Sequence, residues 1–161
     1  MNQNRRADMS NEGASEARRH VTDLVALIND QLEALADDRT DASVGTTVEL
    51  ANVIVGELTQ LRQLLKDQFE AEERAGYWAD VLANTPELAE ETNDVHREHA
   101  KVRETLEGIL ELVTPVASHS FREWQEIDKK FLQFAWMLAS HESHKNRLIQ
   151  RAFCDDVGTI D

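Results

Sequence analysis

The sequence of 161 residues is poor in residues that cross-link or interrupt a fold, with one cysteine, two prolines and six glycines. Because Cys154 is alone, no disulfide can form within the chain; this agrees with a reducing compartment, and we expect the cytoplasm. Gly-rich phosphate loops, G-x-S-x-G elbows and C-x-x-C pairs are missing as well. Their absence argues against the classes of nucleotide-binding protein, acyl hydrolase and thiol oxidoreductase that use these motifs.

Positive charge and long apolar runs are also scarce. The chain has 17 lysines and arginines against 31 aspartates and glutamates, which gives a formal net charge of −14. This charge argues against nucleic acid and against an anionic membrane surface as partners. The longest uninterrupted apolar run, from Phe134 to Ala139, is too short to cross a bilayer. A protein partner is left open.

Helical periodicity is the main pattern that the chain does contain. Apolar residues recur every three or four positions in four segments, which we predict as helices from about Ala14 to Ala36, Thr46 to Ala75, Thr85 to just before Pro115, and Ser120 to about Cys154. Residues 1–13 are predicted to be a flexible tail, residues 14–154 the helical domain, and residues 155–161 a short C-terminal tail. Four amphipathic helices with short connections predict an all-α, up-down-up-down four-helix bundle.

Polar residues interrupt the apolar face of each predicted helix. In the second helix the apolar series continues past Leu65 to Gln68 and Glu72, where leucine would be expected. In an up-down-up-down bundle, the polar residues of all four helices fall at one end: His20, Gln68, Glu72, His99, Arg103, His141 and Lys145. Because burial of such groups is costly unless they find partners, we predict one polar layer with Glu72 salt-bridged to Arg103 or Lys145.

These residues, together with the segments FEAEERAGYW, REHA and SHESHKNRL, resemble the hemerythrin-like, or HHE cation-binding, family. The resemblance covers about Arg18 to Phe153 and implies a four-helix bundle around a non-haem di-iron centre. It also implies that the residues matching family ligands bind metal: His20, Glu72, His99 and His141. The chain departs from the family pattern at three further ligand positions, which hold Gln68, Arg103, and Lys145 with Asn146.

The departures predict a degenerate metal site. Iron prefers imidazole and carboxylate ligands, whereas arginine and protonated lysine cannot coordinate a metal. We therefore expect no cofactor and no enzymatic activity, with Gln68, Arg103 and Lys145 filling the cofactor position in a buried polar network. The alternative is bound iron, as one ion or a di-iron centre, in the roles that the resemblance implies: oxygen or redox sensing, or iron handling.

Two further histidines leave another arrangement open. His96 lies three residues before His99, and His144 lies three residues after His141. In antiparallel neighbouring helices these residues would be level with each other, so the four histidines could form a site. We favour the simpler expectation that His96 and His144 face solvent.

Overall fold

The computed structural model describes residues 3–37, 44–74, 76, 78–114 and 119–154, and within these ranges it contains helices and no strand. The elements are α1 (Gln3–Ala36), α2 (Val44–Glu73), α3 (Ala79–Asn84), a 3-10 turn (Pro86–Leu88), α4 (Ala89–Val113) and α5 (Phe121–Cys154). The predicted all-α class is confirmed for the described part of the chain.

The first helix starts earlier than predicted. The helix begins at Gln3 rather than at about Ala14, so most of the segment assigned to a tail of residues 1–13 is helical. This segment has no proline and contains alanine, arginine, methionine and glutamate, which have good helix propensity. The helix therefore extends beyond the apolar stripe from which its start was predicted. The predicted C-terminal tail, residues 155–161, lies outside the described residues.

The other helix ends follow local signals in the sequence. After α2, Gly76 has a φ of 106°, a backbone conformation that favours glycine. Before α5, the backbone N–H of Ser120 donates to Glu123 Oε2 at 2.6 Å, and the N–H of Glu123 donates to Ser120 Oγ at 3.4 Å. These two reciprocal hydrogen bonds form a capping box at the predicted start of α5. Helix α2 begins at Val44, two residues before the predicted start at Thr46.

Four long helices pack around the core. Helix α1 packs against α2 and α5, and α4 packs against the same two helices. The main core consists of buried side chains from all four, among them Ile28, Leu32, Leu58, Leu61, Val102, Leu106, Phe131 and Phe134. Each large apolar side chain buried in this way contributes about 1.5–3 kcal/mol. None of the described helices is both long enough and apolar enough to cross a membrane.

A second, smaller apolar cluster brings the short α3 segment into contact with α4 and α5. It contains Trp78, Val81, Leu88, Val95, Leu148 and Ala152. Along α4, Val95 belongs to this cluster and Val102 to the main core, and His99 lies between them. Along α5, Leu138 belongs to the main core and Leu148 to the smaller cluster, and His141 and Lys145 lie between them. The polar residues therefore form a layer between two apolar regions.

Candidate functional site

Four polar residues on three helices are buried in this layer. Glu72 comes from α2, His99 from α4, and His141 and Lys145 from α5; each is at most 4% exposed. His141 and Lys145 are four residues apart and so share one face of α5. Their helices direct them inward because the apolar residues on the same faces are buried in the two clusters. The predicted convergence is thus present for these four residues.

Three of the four residues present metal-ligand atoms to one another. Glu72 Oε2 lies 3.0 Å from His99 Nε2 and 3.9 Å from His141 Nε2. The ligand atoms of Glu72, His99 and His141 all lie within 4.8 Å of one another. Two imidazole nitrogens and one carboxylate oxygen are a ligand set that suits iron or zinc.

Carboxylates also hold the far side of both imidazoles. His99 Nδ1 lies 2.9 Å from Glu73 Oε1, and His141 Nδ1 lies 2.8 Å from Glu98 Oε2. Such a contact fixes the orientation of the ring and, when Nδ1 carries the proton, leaves the Nε2 lone pair available to a metal. Histidines that bind a metal usually have such a hydrogen-bond acceptor at their other ring nitrogen.

Lys145 is hydrogen-bonded to the other carboxylate oxygen of Glu72, Oε1. Its Nζ donates to Glu72 Oε1 at 2.5 Å and to Glu142 Oε1 at 2.8 Å. Gln68 Nε2 donates to the same two oxygens, at 3.2 Å and 2.8 Å respectively. The predicted salt bridge between Glu72 and Lys145 is confirmed, and Gln68 lies beside it as predicted. The Lys145 side chain is 1% exposed, so these bonds replace the contacts of its ammonium group with water.

The pKa values of this pair favour the charged forms. Burial raises the pKa of Glu72, but the contacts with the imidazoles of His141 and His99 and the charge of Lys145 outweigh burial and hold that pKa well below its usual range. Burial lowers the pKa of Lys145, but the charges of Glu72 and Glu142 overcome this effect and raise it. Lys145 therefore stays protonated at neutral pH and has no lone pair with which to coordinate a metal.

The histidines differ in how their ring nitrogens are used. Both nitrogens of His99 face carboxylate oxygens at 2.9–3.0 Å, whereas a neutral imidazole has only one N–H. A neutral His99 can therefore donate a hydrogen bond to only one of the two carboxylates, either Glu72 or Glu73. The Nε2 atom of His141 is buried without a hydrogen-bond partner among the described residues. Burial lowers the pKa of His141, but the nearby carboxylates of Glu72 and Glu98 raise it overall.

His20 does not lie in the buried layer, where it was predicted to converge with the other polar residues. Its side chain is exposed, and its Nε2 lies 3.4 Å from Gln60 Nε2 on α2. The neighbouring residues Val21 and Leu24 carry the buried face of α1. Because Val21 points inward, the adjacent His20 points away from the centre.

Arg103 also lies outside the centre of the layer. Its Nη2 is 3.3 Å from Glu73 Oε1, and its side chain is 40% exposed. The guanidinium carbon lies 5.8 Å from the ring centroid of Phe69. Of the two predicted partners of Glu72, Lys145 is the one found, and Arg103 pairs with Glu73 instead.

Phe69 and three carboxylates are parts of the site that sequence reasoning missed. Phe69 is fully buried and stacks on His99, with ring centroids 4.1 Å apart and an interplanar angle of 11°. The missed carboxylates are Glu73, Glu98 and Glu142. Each lies directly beside a predicted polar-layer residue in the sequence, and this adjacency was the available signal.

The two flanking histidines are half-buried rather than solvent-facing, which corrects that expectation. His144 Nδ1 lies 2.8 Å from Glu98 Oε1, and its side chain is 23% exposed. His96 contacts Trp78 edge-to-face, with ring centroids 6.4 Å apart. Neither belongs to the group formed by Glu72, His99 and His141. The four-histidine alternative is therefore not the arrangement found.

Comparison of the chain with protein-family models, curated proteins and solved structures finds no match. The resemblance to hemerythrin-like proteins therefore rests on the residues and segments quoted above.

Proposed function

We propose that this protein is a non-enzymatic, hemerythrin-like module in which a buried ion-paired network replaces the family's di-iron centre. The bundle topology is part of the proposal. Supporting contacts join α2 to α4 through Arg62 and Glu107, and α4 to α5 through Glu91 and Arg151. Between α2 and α4, Glu72 contacts His99 and Arg62 contacts Glu107, so the contacts move back along α2 as they move forward along α4. Between α4 and α5, Glu91 near the start of one helix pairs with Arg151 near the end of the other. Antiparallel neighbours of this kind favour an up-down-up-down bundle.

The observation that carries the proposal is the position of the Lys145 ammonium group. Its Nζ lies 2.5 Å from Glu72 Oε1, on the carboxylate that the resemblance makes a metal ligand. A fixed positive charge at this distance balances the charge of Glu72 and repels a divalent cation. With Gln68 as a neutral neighbour, and with His20 and Arg103 outside the layer, too few ligands remain for two metal ions.

A second candidate is a single divalent ion held by Glu72, His99 and His141. It is favoured by the facing ligand atoms and by the carboxylates on both Nδ1 atoms. A bound iron ion would supply Lewis-acid or one-electron redox chemistry, as oxygen or redox sensing or iron handling requires. The protein's own contribution would be to orient the imidazoles through Glu73 and Glu98. The cytoplasmic location stays a prediction from the cysteine count.

Elemental analysis tests the proposal against this alternative. The protein is produced in iron-rich medium, and iron and zinc per chain are measured for the native chain, Lys145→Glu and Lys129→Glu. We expect the native chain and the exposed Lys129→Glu control to contain substoichiometric metal, because Lys145 retains its charge in both. Lys145→Glu should gain metal, because it replaces an ammonium group with a carboxylate beside the three ligands.

The outcomes separate the two candidates. One metal ion per native chain would favour the single-ion site and contradict the metal-free network. Two iron ions per native chain would contradict the role given to Lys145 altogether. A folded Lys145→Glu variant without metal would show that the electrostatic argument is wrong.

A further inference from the structure

A cavity of about 650 Å³ lies between α1 and α5, next to the buried layer. Its apolar wall includes Val21 and Val25 from α1 and Leu138 from α5. At one side it is lined by Gln68 and Glu142, which are hydrogen-bonded to each other at 2.8 Å. The volume and the mixed lining are typical of sites that bind small organic molecules.

Positive charge is concentrated at this cavity although the chain as a whole is acidic. Arg18 and Arg19 from α1 and Arg147 from α5 line it, in a chain with a formal net charge of −14. Among the described residues that line the cavity, Glu142 is the one acidic residue, and it already accepts hydrogen bonds from Lys145 and Gln68. The cavity thus combines an apolar wall with a local excess of cations.

These arginines differ from others on the surface of the protein. The arginines at positions 62, 103 and 151 are paired with glutamates. No salt bridge joins these three to another residue whose side chain the structure describes, and the Nε–H of Arg18 donates to the backbone carbonyl of Ala14 at 3.3 Å. A guanidinium group offers planar, bidentate hydrogen bonding to a carboxylate. The arrangement therefore suits an anion brought in by a ligand.

We propose that the α1–α5 cavity binds a small amphipathic carboxylate. The aliphatic or aromatic part of the ligand lies against Val21, Val25 and Leu138, and its carboxylate pairs with Arg18 or Arg147. This site does not require a metal in the buried layer, so its test does not depend on whether the proposed function is correct. Because Gln68 and Glu142 separate the cavity from Glu72 and Lys145, an occupant would lie one hydrogen-bonded residue away from the ion pair.

Calorimetric titration with octanoate, and with octanamide as the uncharged compound of equal length, tests the proposal on the full chain. We expect octanoate to bind at one site and octanamide to bind at least about tenfold more weakly, because the charge-assisted hydrogen bond is lost. Arg18→Gln and Arg147→Gln together should weaken octanoate binding by about tenfold or more and leave octanamide binding unchanged. Arg122→Gln, at an exposed position of α5 away from the cavity, is the matched control and should change neither.

Ala139→Phe tests the location of the site. Ala139 lines the cavity but is exposed, so a larger side chain there fills the cavity without entering the core. We expect this variant to retain its helical circular dichroism and to lose binding of both compounds. The proposal is overturned if octanoate does not bind, if octanamide binds equally well, if Arg122→Gln weakens binding as much as the cavity variants, or if folded Ala139→Phe binds octanoate normally.

Discussion

At the scale of single residues, the two oxygens of Glu72 have different surroundings. Oε1 accepts hydrogen bonds from Lys145 and Gln68, whereas Oε2 faces the two imidazole Nε2 atoms. Taking an ammonium group and a carboxylate out of water costs several kcal/mol for each ion, and their mutual attraction offsets this cost only when both remain. The intact pair therefore adds little to the unfolding free energy, whereas removal of one member should lower that free energy strongly.

Lys145→Met should reveal this penalty. The substitution keeps a long side chain but leaves the carboxylate of Glu72 buried without its ammonium partner, so we expect a loss of about 3–5 kcal/mol in unfolding free energy. Urea unfolding followed by circular dichroism measures the change. Adding Glu72→Gln to Lys145→Met removes the unpaired charge and should recover part of the loss. Lys129→Met, at an exposed position on the same helix, should remain within about 0.5 kcal/mol of the native chain.

Two results would count against this account of the pair. A Lys145→Met chain as stable as the Lys129→Met control would show that Glu72 does not depend on the ammonium group. A double variant less stable than Lys145→Met would show that burial of charge is not the source of the loss.

At the scale of helices, the contact between α1 and α5 brings like charges together. Burial raises the pKa of Asp128 on α5, and the nearby charge of Glu33 on α1 raises it further. The folded chain thus holds this proton more tightly than the unfolded chain does. Stability is consequently lost as the pH rises from the ordinary value of 3.8 through the folded pKa, and the loss is complete at neutral pH.

Asp128→Asn should therefore stabilise the protein at neutral pH. We expect a gain of a few tenths of a kcal/mol, because the position is partly exposed and the repulsion is screened by solvent. The gain should disappear at about pH 3, where the carboxyl group is protonated in both states. Urea midpoints at the two pH values measure it, with the exposed Glu126→Gln as control. A gain that persists unchanged at acidic pH, or a loss at neutral pH, would contradict the assignment.

How far each helix could be predicted depended on the regularity of its apolar pattern. In α4 the predicted stripe from Leu88 to Val113 is buried at all of its positions, and in α5 Phe131 is buried as predicted. In α1 the apolar residues are sparse near His20, so the periodicity did not determine which of two adjacent residues points inward. The structure places Val21 inward, and a step of one residue was enough to move His20 to the surface.

The helical periodicity predicted those polar-layer residues that lie on the apolar faces of the helices, but not those that flank these faces. Glu72, His99, His141 and Lys145 were identified because each replaces an apolar residue in a regular series. Carboxylates that flank a stripe have the same sequence signature as residues on a solvated face. Only the packing of α2 against α4 brings Glu73 to His99, and only the packing of α4 against α5 brings Glu98 to His141.

At the scale of the whole molecule, the helices form an apolar region, a polar layer and a second apolar region in succession. Both apolar regions exclude water from the layer, which strengthens every charge interaction inside it. A buried charge that is fully hydrogen-bonded resists exchange for a metal ion, because both the new ion and the displaced ammonium group would need other partners. The central claim is therefore that Lys145, and not a metal, supplies the positive charge opposite Glu72.

Anomalous X-ray diffraction at the iron and zinc absorption edges tests this claim most directly. Crystals would be grown from protein produced in iron-rich medium and purified without chelators. We predict no anomalous peak at the coordination distance of about 2.0–2.2 Å from the imidazole Nε2 atoms of His99 and His141. The Lys145 Nζ atom should lie within hydrogen-bonding distance of Glu72. An anomalous peak bound to these two histidines and Glu72, with Lys145 turned away from the carboxylate, would contradict the account.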